Sequence, residues 1–96
     1  MSNQVVSHNV YFEGNVQSLG LETEKGKATV GVMKKGNYTF STASAEVMVV
    51  VSGVLHAKLD DAGFKAYKAR EQFDVAANSS FEVRCDADVA YICYYE

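Results

Sequence analysis

The side chains of this chain best placed to do chemistry gather around one carboxylate. Glu46 follows Thr42 by four positions and Phe40 by six, and an apolar run separates it from Gly53. Hydroxyl and aromatic residues precede it, at Tyr38, Phe40, Ser41 and Thr42. A carboxylate in such company can accept hydrogen bonds from hydroxyl groups and favour a nearby positive charge. Other reactive types are sparse: two histidines (His8, His56), two cysteines (Cys85, Cys93) and two arginines (Arg70, Arg84). His56 shares the polar face of its segment with Lys58, and His8 lies in the N-terminal segment. Both are read as surface or hydrogen-bonded histidines. Neither cysteine has a second cysteine or a histidine at metal-ligand spacing, so both are expected to be buried free thiols. Arg70 and Arg84 read as solvated surface charges.

These residues must be positioned by strands. Short runs rich in Val, Tyr, Phe and Thr recur between glycines, and such residues fit a pleated, half-buried surface. The expected strands are Ala28 to Met33, Tyr38 to Thr42, Val47 to Val51, Val54 to Leu59, Phe64 to Lys68, Ser80 to Cys85 and Val89 to Tyr95. Alternation sets Leu55, Ala57 and Leu59 against His56 and Lys58, and Phe81, Val83 and Cys85 against Glu82 and Arg84. It places Thr42 on one face with Tyr38 and Phe40, and Ser41 on the other. The run Met48 to Val51 is apolar on both faces, as in a strand covered on both sides. Lys25-Gly26, Lys34 to Asn37, Ser52-Gly53 and Asp60 to Gly63 read as hairpin-scale turns. No window holds a useful helical period. Many short strands with tight turns point to an all-β sandwich or barrel.

Length allows one domain, expected over residues 11–96 after an N-terminal segment of residues 1–10. A net charge of −3 and 48% hydrophobic residues argue against both a nucleic-acid binder and a disordered chain. The start of the chain lacks the basic-then-apolar pattern of a signal peptide, and no stretch is long enough to span a bilayer. The cytoplasm is the expected location. Strands apolar on both faces give a reason to expect a homodimer.

The spacing Phe40-x-Thr42-x3-Glu46-x6-Gly53 resembles the first cupin motif, with Phe40 and Thr42 at its two histidine positions. A weaker match to the second motif puts Arg70 at its glycine, Ala76 at its proline and Phe81 at its histidine. The resemblance implies a single-domain cupin, an RmlC-like jelly-roll β-barrel. A cupin metal site needs imidazoles and a carboxylate converging inside the barrel. Of those four ligand positions only Glu46 keeps a ligand group, so no metal is expected.

The chain also resembles the small pyrimidine/purine nucleoside phosphorylases of bacteria. The resemblance is carried by Gly31-Val32-Met33, Gly36, Tyr38 to Thr42, Glu46, Met48 and Ser52-Gly53. Tyr11-Phe12 with Gly14, Val16, Ser18 and Gly20 near the start, and Tyr91-Ile92-Cys93 with Tyr95 at the end, extend it. Two departures stand out. Ala76-Ala77-Asn78 stands where the family often has Pro-Gly-His, and Tyr94 where it often has Arg. The resemblance implies metal-independent phosphorolysis, with inorganic phosphate as co-substrate and no cofactor, on purine and pyrimidine nucleosides alike. It implies Glu46 and Thr42 as catalytic residues, and Tyr38, Phe40, Ser41, Ser79, Phe81 and Tyr91 as the substrate-binding set. Glu46 would hold the ribose, the hydroxyl of Thr42 in preference to that of Ser41 the phosphate, and the rings the base. A non-catalytic cupin that binds a nucleoside-like molecule is the alternative expectation.

Overall fold

A computed structural model describes residues 6–96. Ten strands form two facing antiparallel layers. In chain order they are β1 (His8–Tyr11), β2 (Val16–Thr23), β3 (Gly26–Met33), β4 (Gly36–Ser41) and β5 (Glu46–Ser52). Then follow β6 (Leu55–Lys58), β7 (Lys65–Tyr67), β8 (Gln72–Val75), β9 (Ser80–Cys85) and β10 (Val89–Tyr95). One sheet has six strands in the order β1-β2-β3-β10-β5-β8, and the other has four in the order β4-β9-β6-β7. The sheets do not close on each other, so the cupin fold is present here as an open sandwich rather than a sealed barrel.

All seven expected strands are present. Three further strands, β1, β2 and β8, lie outside that expectation. The β1 strand pairs with β2 from His8 to Tyr11, so pairing in the six-stranded sheet runs across the position 10/11 boundary.

The turns behave differently from simple hairpins. Thr23 and Gly26 do close a hairpin between β2 and β3, where the Thr23 Oγ1 accepts from the Lys25 N–H and donates to the Gly26 carbonyl. The Asp60 to Gly63 turn also joins paired strands, β6 and β7. The turns at Lys34 to Asn37 and at Ser52-Gly53 instead carry the chain from one sheet to the other. Such crossings are what fold a chain of this length into two layers. Gly53 shows why a glycine is needed at one of them. Its φ is +89°, and an added Cβ would lie 2.8 Å from the Asp88 carbonyl oxygen.

The core lies between the layers. Val16, Met33 and Val50 from the larger sheet meet Leu55, Ala57 and Val83 from the smaller one, all at most 1% exposed. Among the described residues nothing covers the outer face of the six-stranded sheet. The expectation that Met48 to Val51 is covered on both sides therefore meets a chain in which only one side is packed: Met48 and Val50 are buried, while Val51 is 49% exposed. Among the described residues no helix is long and apolar enough to cross a membrane.

Candidate active site

A cavity of about 190 Å³ opens between the sheets. Glu46 enters it from the start of β5, Phe40 and Ser41 from the end of β4, Phe81 from β9, and Tyr91, Cys93 and Tyr95 from β10. Tyr11, Ser18, Met33 and Met48 complete the lining. Five residues singled out from the sequence thus meet in one place: Glu46, Phe40, Ser41, Phe81 and Tyr91.

Strand register explains the meeting. Phe40 stands directly opposite Phe81, and their rings stack at 5.8 Å with an interplanar angle of 29°. Offset stacking of this kind satisfies the quadrupoles of both rings. Phe12 adds an edge-on contact to Phe40 at 5.4 Å and a tilted one to Tyr38 at 4.9 Å. It does so from a tight turn in which Phe12 and Glu13 both hold positive φ, at 52° and 58°. On the opposite sheet Glu46 pairs with Tyr95, and Cys93 pairs with Met48 and Thr29. The Cys93 thiol donates to Glu46 Oε1 at 3.3 Å. The Tyr95 hydroxyl lies 3.2 Å from Thr29 Oγ1 behind it.

The electrostatics follow from burial. Desolvation raises the Glu46 carboxyl above its ordinary value, and the Cys93 hydrogen bond offsets part of that rise. Burial pushes the Cys93 thiol up to about 12, aided by the neighbouring Glu46 charge. Burial likewise pushes Tyr95 up to about 12 and raises Tyr91 further. Cys93 is therefore a fixed hydrogen-bond donor rather than a nucleophile. Among the described residues no lysine or arginine lines the cavity.

Three expected site residues sit outside this lining. Thr42 is buried and turned to the neighbouring turn: its Oγ1 donates to the Ala76 carbonyl at 2.7 Å and accepts from the Ser79 N–H at 3.1 Å. The Ser79 hydroxyl donates to the same Ala76 carbonyl at 2.8 Å. The Tyr38 hydroxyl donates to the Lys34 carbonyl at 2.7 Å. Tyr11, Ser18, Cys93 and Tyr95 are lining residues that the sequence left unmarked as site candidates. Ser18 is buried because β2 turns Val16 and Ser18 inward and Leu19 and Leu21 outward. Hydrophobic patterning alone gives no warning of that choice.

The charged residues lie elsewhere. Arg84 is on the outer face of the four-stranded sheet, with its Cζ 5.5 Å from the Phe64 ring centre. Its Nε lies 3.4 Å from Asp86 Oδ1 without forming a hydrogen bond, and among the described residues this buried atom has no hydrogen-bond partner. His56 approaches the same Asp86 at 3.5 Å, and His8 bonds Gln17 at 2.8 Å. Arg70 is exposed, and its φ is +77°. Tyr94 faces outward beside Lys25, so a residue at position 94 does not reach the cavity of its own chain. Asn78 occupies an exposed turn with φ of +54°, a conformation that asparagine tolerates better than most residues.

A metal does not fit this donor set. The cavity offers one carboxylate and one thiol held in its protonated form, with Phe40 and Phe81 where a metal-binding cupin would carry imidazoles. Among the described residues no three His, Cys, Asp or Glu side chains converge.

Comparison with known proteins gives the family of the chain. The family model for pyrimidine/purine nucleoside phosphorylase matches residues 6–95. A protein of that name from Vibrio cholerae is 46% identical over 92 residues, covering 95% of this chain and 97% of its own. Another from Rhodopirellula baltica is 48% identical, covering 91% and 96%. A crystal structure of a Vibrio parahaemolyticus protein of unknown function superposes with a TM-score of 0.91 at 41% identity, over 97% of this chain and all of that one. An RmlC-like cupin from Shewanella frigidimarina shares the fold, with a TM-score of 0.70 at 17% identity over 97% of this chain and 85% of that one. With its match running almost end to end, the chain belongs to the pyrimidine/purine nucleoside phosphorylase family.

Proposed function

We propose that this protein catalyses metal-independent phosphorolysis of both purine and pyrimidine nucleosides in the cytoplasm. A phosphate oxygen bonds to the anomeric carbon as the bond from that carbon to the base nitrogen breaks. The bonding pair leaves with the base, which takes up a proton, and the products are ribose 1-phosphate and free base. The observation that carries this reading is the gathering of Glu46 with Phe40, Phe81 and Tyr91 around one cavity in a chain of this family.

In this reading Glu46 accepts hydrogen bonds from the sugar hydroxyls and stabilises positive charge as it develops on the ribose ring. With Oε1 engaged by Cys93, Oε2 is the oxygen that meets the sugar. The rings present faces rather than donors and acceptors, so they hold flat bases without reading their edges. Ser41, Ser18 and Tyr11 supply hydroxyl donors for phosphate. Thr42 acts one step back, by fixing the chain four residues ahead of Glu46.

The working form is a two-fold dimer closed through the outer face of the six-stranded sheet. Val30 and Val32 on β3 stand there beside Ile92 and Ala90 on β10, with Val49 on β5 next to Ile92. This central strip carries no charge, so it meets its own copy without like-charge repulsion.

A second reading, binding without turnover, is favoured by the lack of a cationic side chain in the cavity lining. Incubation with inosine and with uridine, each with and without phosphate, separates the two. Base release that requires phosphate supports the enzyme, and saturable binding with no base released supports the binding protein. Activity lost on chelation and restored by a divalent metal overturns the metal-independent mechanism.

A further inference from the structure

A row of small residues crosses the inner face of the six-stranded sheet beneath Tyr91. Ser18 on β2 stands beside Gly31 on β3, and Gly31 stands beside Tyr91 on β10. Gly31 is buried, and its backbone is not in the left-handed region, so its conformation does not demand glycine. Space demands it. A Cβ at Gly31 would lie 2.5 Å from both Cζ and the hydroxyl oxygen of Tyr91 and 2.7 Å from Cε1. Those distances are well inside van der Waals contact. The Tyr91 ring therefore lies down on the bare backbone of β3. A β-bulge sits beside it: Ala90 pairs with Ser52 and Tyr91 with Val50, which leaves Val51 unopposed. Bulges re-aim the side chains next to them.

We propose that Gly31 sets the width of the cavity by letting Tyr91 lie flat, and thereby fixes the size of base the protein accepts. The base-size part rests on the nucleoside reading above. On its β5 side Tyr91 is flanked by Val50, buried in the core, and the ring lines the cavity, so a ring pushed off Gly31 turns into that space. The cavity holds about 190 Å³, against roughly 300–1,000 Å³ for common small-molecule sites. In a space that small, an intruding ring excludes a two-ring base before a one-ring base.

The test is Gly31→Ala, assayed at saturating phosphate with a purine and a pyrimidine nucleoside. We expect kcat/KM to fall about tenfold or more for the purine and to stay within about threefold for the pyrimidine. The double variant Gly31→Ala with Tyr91→Leu brings the purine-to-pyrimidine ratio back to at least the wild-type value, toward that of Tyr91→Leu alone, because the intruding ring is gone. Tyr91→Leu alone creates no clash and tests the idea in reverse, by raising the purine-to-pyrimidine ratio. Equal loss for both substrates, no loss, or a ratio unmoved by removing the ring overturns the inference. A wild-type protein that releases no base overturns the nucleoside reading and the base-size claim with it. The crystal structure of Gly31→Ala then decides the width claim alone: a ring turned into the cavity supports it, and an unmoved ring overturns it.

Discussion

Burial raises the Glu46 carboxyl above the ordinary carboxylate range, and the Cys93 thiol holds part of that rise back. The sign has two consequences. In the proposed mechanism Glu46 must be ionised, so activity should fall on acidification at a pH above the usual glutamate range. Cys93, Tyr91 and Tyr95 face the same space but titrate far to the alkaline side, so they leave that limb to Glu46 and to phosphate itself. Cys93→Ala should move the limb to higher pH and Cys93→Ser should return it, while phosphate's own titration stays common to all three proteins. For stability, a folded-state pKa above the unfolded one favours the protonated form. That contribution is complete at low pH and is lost as pH rises through the folded value. Glu46→Gln should therefore raise Tm at neutral pH while abolishing turnover. A lower Tm, or unchanged turnover, would count against the assignment.

Among the elements, Thr42 ties the end of β4 to the turn between β8 and β9 through the Ala76 carbonyl and the Ser79 N–H. Thr42→Val keeps the shape and leaves that half-buried N–H without its acceptor, so we expect a loss of about 1 kcal/mol in a urea titration. Leu55, fully buried on β6, should cost about 2–5 kcal/mol as Leu55→Ala. The two changes differ in what the sequence made visible. The strand of Leu55 was legible because it alternates sharply against His56 and Lys58. Thr42 was correctly turned inward by the same rule, but alternation cannot say whether an inward hydroxyl meets a ligand or a backbone carbonyl. The β2 strand escaped for a stronger reason. Its leucines face out and its serine faces in, so the larger apolar residues mark the surface and the smaller polar one marks the cavity. The β8 strand does alternate, Gln72 and Asp74 against Phe73 and Val75, but it follows a turn at Arg70 that no glycine marks, so its start was not legible. Glu46, Phe40 and Phe81 were legible through spacing, whereas Tyr11, Cys93 and Tyr95 reach the cavity only through sheet register.

The molecule as a whole presents a sandwich with one finished interior and one bare apolar face. If that face closes a dimer, Val32→Glu should give a monomer in sedimentation equilibrium while the fold, followed by circular dichroism, is kept; a wild-type monomer at working concentration would refute the dimer. Each layer also carries one buried thiol, Cys85 on β9 in the smaller sheet and Cys93 on β10 in the larger. Burial pushes them up to about 11 and about 12. At neutral pH both thiols are therefore held in the protonated, unreactive form. The protein thus contains a matched pair of silent reporters, one for each half of its interior. Under an alkylating reagent in mild denaturant, equal labelling of both would mean that the sandwich opens as one cooperative unit. Earlier labelling of Cys85 would mean that the four-stranded layer peels away first and leaves the sheet that carries Glu46 intact.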